Sequence, residues 1–126
     1  MKKPIVYIRL GTGPRPVMYN ASHHSLEWVT TPVIMKFVEN FAKAKVTTGF
    51  LQGYDIDWLF RNISLYIVPM VNPDGVDLVL GQIPITSPYY LDALSINNTG
   101  RPLNQVWNAN IRGVDLLYFH TVIWNI

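Results

Sequence analysis

His24 and Glu27 stand three positions apart in the run His23-His24-Ser25-Leu26-Glu27-Trp28, and an imidazole with a carboxylate at that spacing can hold one side of a zinc ion. A hydrolytic zinc site needs three protein ligands and an open fourth position. The pair supplies two of the three. His23 is a poor third donor, because adjacent residues point in different directions in a strand or a helix. His120 obeys no ligand-spacing rule and reads as incidental. The chain has no Cys, which excludes disulfides and thiolate ligands without identifying a compartment.

Those side chains must be positioned by regular structure, and the pattern of apolar residues says which. Ile5 to Leu10 and Val17 to Asn20 read as short strands around a turn, Gly11 to Pro16, that is rich in Gly and Pro. Val29, Val33, Ile34, Phe37, Val38 and Phe41 then recur every three or four residues, the period of an amphipathic helix. Pro32 suits its early turn, Gly49 its stop, and the helix should end near Lys45. Tyr54 to Phe60 reads as a short helix opened by Asp55, and Ile63 to Val68 as a fully buried strand. Asn72-Pro73-Asp74-Gly75 reads as a turn, with Pro fixing one dihedral angle and Gly allowing a positive one. Pro84 to Pro102 reads as an ordered loop with at most a short helical turn, anchored by Tyr89 and Tyr90. Trp28 and Trp107 read as core or pocket-wall aromatics. The His24 pair thus falls where a strand gives way to a helix, and such strand ends are where open α/β sheets bind ligands.

Composition narrows the function classes. With 126 residues, 49% hydrophobic and 14% charged, the chain has the make-up of one buried-core domain, or part of one, and not of a disordered segment. Its net charge of +2 is scattered, with no basic run interleaved with aromatics, so nucleic acid is excluded as a partner. No apolar stretch is long enough to span a membrane. Met1-Lys2-Lys3-Pro4 leads into a strand-like run and not into a signal h-region, so localisation stays undetermined.

Two further blocks lie downstream of the histidines: Leu65 to Gly75, ending in Asn72-Pro73-Asp74-Gly75, and Val106 to Asp115, ending in Arg112-Gly113-Val114-Asp115. In this order the three blocks resemble the zinc carboxypeptidase superfamily, most closely its bacterial branch of γ-D-glutamyl-diaminopimelate endopeptidases, which cut the peptide stems of cell-wall peptidoglycan. The resemblance implies an α/β fold, a partial carboxypeptidase-like sandwich with a mixed sheet of about four strands and flanking helices. Residues 1–126 would form the N-terminal part of the catalytic domain. It also implies zinc as cofactor, His24 and Glu27 as metal ligands, Arg112 as the cation that polarises the scissile carbonyl, and a cell-wall peptide as substrate. Asp115 would support the site without ligating.

After Asp115 the chain departs from that pattern. Relatives place Asp-Leu-Asn, a basic residue, Asn and an aromatic there, whereas this sequence has Asp115-Leu116-Leu117-Tyr118-Phe119-His120. Leu117 has no donor and Tyr118 a single neutral one, so carboxylate recognition is lost at those positions, and 115–126 form a divergent tail. The family's third ligand, a His, and its general-base Glu have no counterpart here. Two functions therefore stand side by side: a zinc peptidase working through metal-activated water, and an inactive remnant or peptide-binding pseudopeptidase. A sheet lacking its later strands would expose an edge that invites self-association.

Overall fold

The computed structural model describes residues 3–117. Strands β1 (Ile8–Leu10), β2 (Arg15–Asn20) and β5 (Ile63–Val68) form a three-stranded mixed sheet in the order β1-β5-β2. The fold is α/β, as the sequence implies. The two strands flanking the first turn are not neighbours, because β5 lies between them, antiparallel to β1 and parallel to β2. β1 is shorter than the apolar run suggests: only Ile8–Leu10 find partners on β5, and Ile5, Val6 and Tyr7 are exposed. β2 instead reaches back into the Gly/Pro segment as far as Arg15, paired with Ile63.

Helix α1 (Thr30–Val46) follows its period, with Val38, Phe41 and Ala44 buried. Val38 packs on Leu65 and Ile67 of β5, while Phe41 and Ala44 meet Ile56. Burying a Leu or Ile side chain of this kind contributes about 1.5–3 kcal/mol, so this helix-on-sheet contact stabilises the N-terminal half. The hairpin β3 (Phe50–Leu51) and β4 (Tyr54–Asp55) was not legible in the sequence. Its turn residues, Gln52 and Gly53, both have positive φ, and strands of two residues carry no readable alternation. The Asp55 cap is present: its side chain accepts from Trp58 N at 2.9 Å and opens α2 (Ile56–Asn62).

Two expectations are overturned in the C-terminal half. Asn72-Pro73-Asp74-Gly75 is the start of a helix, α3 (Pro73–Val79), and Gly75 does not have positive φ. Pro73 sits at the first helical position, where a missing N–H costs nothing, and Asn72 caps the helix by accepting from Gly75 N at 3.1 Å. The supposed loop from Pro84 contains a nine-residue helix, α4 (Pro88–Ile96), followed by α5 (Leu103–Val106). Burial of Ala93 and Ile83 explains why: tertiary packing organises a segment whose own propensities favour turns. These elements make a second core of Leu78, Val79, Ile83, Ala93, Leu103 and Trp107. Tyr90 packs on it, whereas Tyr89 is 39% exposed and anchors nothing comparable. Trp107 is buried as expected, but Trp28 is not a core residue. Leu26 takes that place against the second core, and in a single 3-10 turn its neighbours point elsewhere.

Candidate metal centre

β2 and β5 run parallel, so the chain leaves both at the same edge of the sheet. Beyond that edge Val71 N donates to Ala21 O and Asn72 N to Ser22 O, each at 3.0 Å, which holds the two exits side by side. Ser22 is buried with φ of 52°, an unusual backbone for a residue with a Cβ. Its neighbours fix that conformation. Ser22 N donates to Thr30 Oγ1 at 2.9 Å, the hydroxyls of Ser22 and Thr31 lie 2.7 Å apart, and Thr31 Oγ1 donates to Pro69 O at 2.6 Å. The bend delivers His24 to the mouth of the crevice, just ahead of the 3-10 turn Ser25–Glu27.

Within that turn His24 Nδ1 lies 2.9 Å from Glu27 Oε1. Its other nitrogen, Nε2, lies 3.3 Å from Asp115 Oδ1. The imidazole is recessed, with 16% of the side chain exposed, while the two carboxylates are 49% and 42% exposed. Hydrogen bonding to Glu27 raises the His24 pKa; burial opposes it, and Asp115 reinforces it. When the ring is neutral, a proton kept on Nε2 for Asp115 leaves the Nδ1 lone pair on the Glu27 side.

That donor set fits part of a zinc site. Tetrahedral zinc with bonds of about 2.0–2.1 Å separates its donors by about 3.3–3.4 Å, so Nδ1 and Oε1 need to open only by a few tenths of an ångström. Asp115, on the far nitrogen, has the position of an outer carboxylate that orients a ligating histidine. Among the described residues, no group of three or more His, Cys, Asp or Glu side chains is arranged to hold a metal. His120 and the tail from Tyr118 to Ile126 lie outside the described residues.

Arg112 is exposed on a turn whose shape is set by Asn110. Asn110 Oδ1 accepts from Arg112 N at 2.9 Å and from Val114 N at 3.1 Å, and Gly113 takes φ of 79°. The Arg112 side chain lines a cavity of about 460 Å³ together with Asn72, Asp74 and Tyr89.

One residue that sequence reasoning treated as turn chemistry joins all three blocks. Asn72 is 3% exposed, and its Nδ2 reaches His23 O at 3.1 Å, Ala109 O at 3.1 Å and Ser25 Oγ at 3.3 Å. Ser25, fully buried, donates its hydroxyl to Ala109 O at 2.5 Å and its backbone N–H to Asn108 O at 3.2 Å. The signal available was Asn before Pro-Asp-Gly, a helix-start pattern, but nothing local announces the long-range partners.

A family model described as zinc carboxypeptidase matches residues 3–121. The chain is 36% identical over 116 residues to the gamma-D-glutamyl-L-diamino acid endopeptidase 1 of Lysinibacillus sphaericus, covering 92% of this chain and 29% of that protein. It is 38% identical over 112 residues to YqgT of Bacillus subtilis, covering 89% of this chain and 30% of the relative. To carboxypeptidase E of Caenorhabditis elegans it is 27% identical over 121 residues, 90% of this chain and 22% of the relative. The chain thus spans less than a third of the length of these relatives. With the histidine, proline-aspartate-glycine and arginine blocks drawn together around Asn72, and with the family model matched over nearly all its residues, the chain belongs to the zinc carboxypeptidase family.

Proposed function

We propose that this chain carries the first half of the metal centre of a zinc peptidase acting on cell-wall peptides, with γ-D-glutamyl-diaminopimelate bonds as the substrate class. The observation that carries this reading is His24 held between Glu27 and Asp115, with one nitrogen and one carboxylate oxygen converging at 2.9 Å. His24 and Glu27 would hold the zinc, which when bound supplies Lewis-acid polarisation of a carbonyl and activation of water. Asp115 keeps the proton on the far side of the imidazole. The guanidinium of Arg112 stands ready to hold the carbonyl oxygen as negative charge builds on it. Support for the substrate comes from the name of the Lysinibacillus relative, which specifies a glutamyl–diamino acid bond.

Zinc stoichiometry by elemental analysis, with a chelator of known affinity as competitor, tests the reading. Zinc binding that is lost on His24→Ala is expected at neutral pH, and near one zinc per chain would mean that a third donor completes the site. Occupancy should fall as pH drops through the raised His24 pKa, because a protonated ring has no lone pair to give. A second reading, a peptide-binding protein without metal, is favoured by the absence of a three-donor group among the described residues. Negligible zinc at every pH would remove the first.

Self-association belongs to the same proposal. The outer edge of β2 is unpaired among the described residues and presents Met18 and Tyr19, 62% and 50% exposed. Sedimentation should show dimers that grow with concentration, and Met18→Lys should shift them toward monomer. A monomer at all concentrations refutes it.

A further inference from the structure

We infer that Thr30 and Thr31 are positioning residues for the metal pair, their hydroxyls clamping the chain before His24 and after Glu27 so that the two ligands keep their spacing. The inference rests on the metal reading and adds to it the residues that hold the ligands in place. It starts from Ser22, two positions before His24, which is 1% exposed and has φ of 52°. A residue with a Cβ keeps such a backbone only where its surroundings over-determine it, and such residues gather at functional sites. Every polar atom of Ser22 is engaged: its N–H by Thr30 Oγ1, its hydroxyl by Thr31 Oγ1, and its carbonyl by Asn72 N at 3.0 Å.

Each hydroxyl has one proton to give, and the contacts fix where each goes. Thr31 spends its proton on Pro69 O at 2.6 Å, so across the 2.7 Å contact Ser22 is the donor and Thr31 the acceptor. Glu27 O lies 3.3 Å from Ser22 Oγ and is served by Thr30 instead, which donates to it at 2.7 Å while accepting from Ser22 N at 2.9 Å. Two bridges result. Thr30 ties residue 22 to residue 27 across the ligand turn, and Thr31 ties residue 22 to the exit of β5.

Both threonines open α1, where a hydroxyl ordinarily accepts from one of the helix's unpaired N–H groups, yet no side chain caps this helix. Their hydroxyls serve the ligand turn and not the helix that carries them. Loss of either bridge frees Ser22 from its bend, and the 2.9 Å approach of His24 Nδ1 to Glu27 Oε1 depends on where that bend points.

The test compares the full chain with Thr30→Val and Thr31→Val, which delete one hydroxyl each at nearly constant shape, and with Thr30→Ser and Thr31→Ser, which keep it. Zinc affinity is read by chelator competition, and nuclear Overhauser contacts between the His24 ring and the Glu27 side chain are read on the metal-free proteins. Each Val variant should bind zinc about tenfold more weakly, the lower end of what a lost outer contact costs, and should lose the contacts between His24 and Glu27. Each Ser variant should keep the wild-type values. A purely structural role would lower the unfolding midpoint and leave both readouts of the folded chain unchanged; that result overturns the inference, and so do Ser variants that behave like the Val variants. If a Val variant does not fold, Ser22→Gly takes its place, since glycine accepts positive φ without strain. Without the hydroxyl link its zinc affinity and ring contacts should fall in the same way, and unchanged values overturn the inference. A wild-type chain that binds no zinc removes the metal reading, and the Overhauser contacts then decide the inference by themselves.

Discussion

Replacing Asn72 by alanine should lower the unfolding free energy by about 3 kcal/mol, because it strands several buried polar groups at once. The side chain gives one capping acceptor to Gly75 N and spreads its two amide hydrogens over His23 O, Ala109 O and Ser25 Oγ. Alanine restores none of these, and water has little access to a position only 3% exposed. Asn72→Asp should fare no better: it keeps the cap but sets a carboxylate against two carbonyl oxygens. Gly75→Ala attacks the same point sterically. A Cβ there would lie 2.5 Å from Asn72 Oδ1 and 2.6 Å from Ser25 Oγ, both held by their own hydrogen bonds. Denaturant unfolding measures all three variants. An Asn72→Ala chain within about 0.5 kcal/mol of wild type, the range of ordinary surface changes, would show that Asn72 does not hold the blocks together.

The other large effect concerns zinc. His24→Ala should abolish measurable zinc binding, since Glu27 alone is a weak monodentate site. Asp115→Asn should be intermediate, lowering affinity about 10- to 100-fold, the usual cost of losing an outer partner of a ligating histidine. The two variants act differently: one deletes a ligand, while the other leaves both ligands and loosens the ring's tautomer and orientation. Competition against a chelator resolves the ladder from wild type through Asp115→Asn to His24→Ala. Unchanged affinity in Asp115→Asn would mean that the 3.3 Å contact to Nε2 is incidental and that Asp115 does not position the histidine.

Much of the fold was readable where one face of an element is buried against one partner. α1 announced itself through a stripe at helical spacing, and β5 through a run that is apolar but for Ser64, because those patterns are the direct imprint of burial. Reading failed where burial is organised from a distance. α4 carries only one fully buried residue, Ala93, so its periodicity is faint and its Pro, Ser and Thr neighbours dominate the local signal. Trp28 left two places open, core or pocket wall, and exposure removes the first, since Leu26 holds the core position in the turn.

By itself the sequence determined the chemistry on offer: an imidazole and a carboxylate three residues apart, an Asn-Pro-Asp-Gly block and an Arg-Gly-Val-Asp block in a fixed order. Their types and short-range spacing are written in the chain, and so is the family they indicate. Only the tertiary structure decided which of them meet. The His24–Asp115 contact spans 91 positions, and the Asn72 bonds to His23 and Ala109 span 49 and 37. No periodicity encodes such pairings, because they are set by two parallel strands ending together and by a second core that pins the 3-10 turn against α3 and α5.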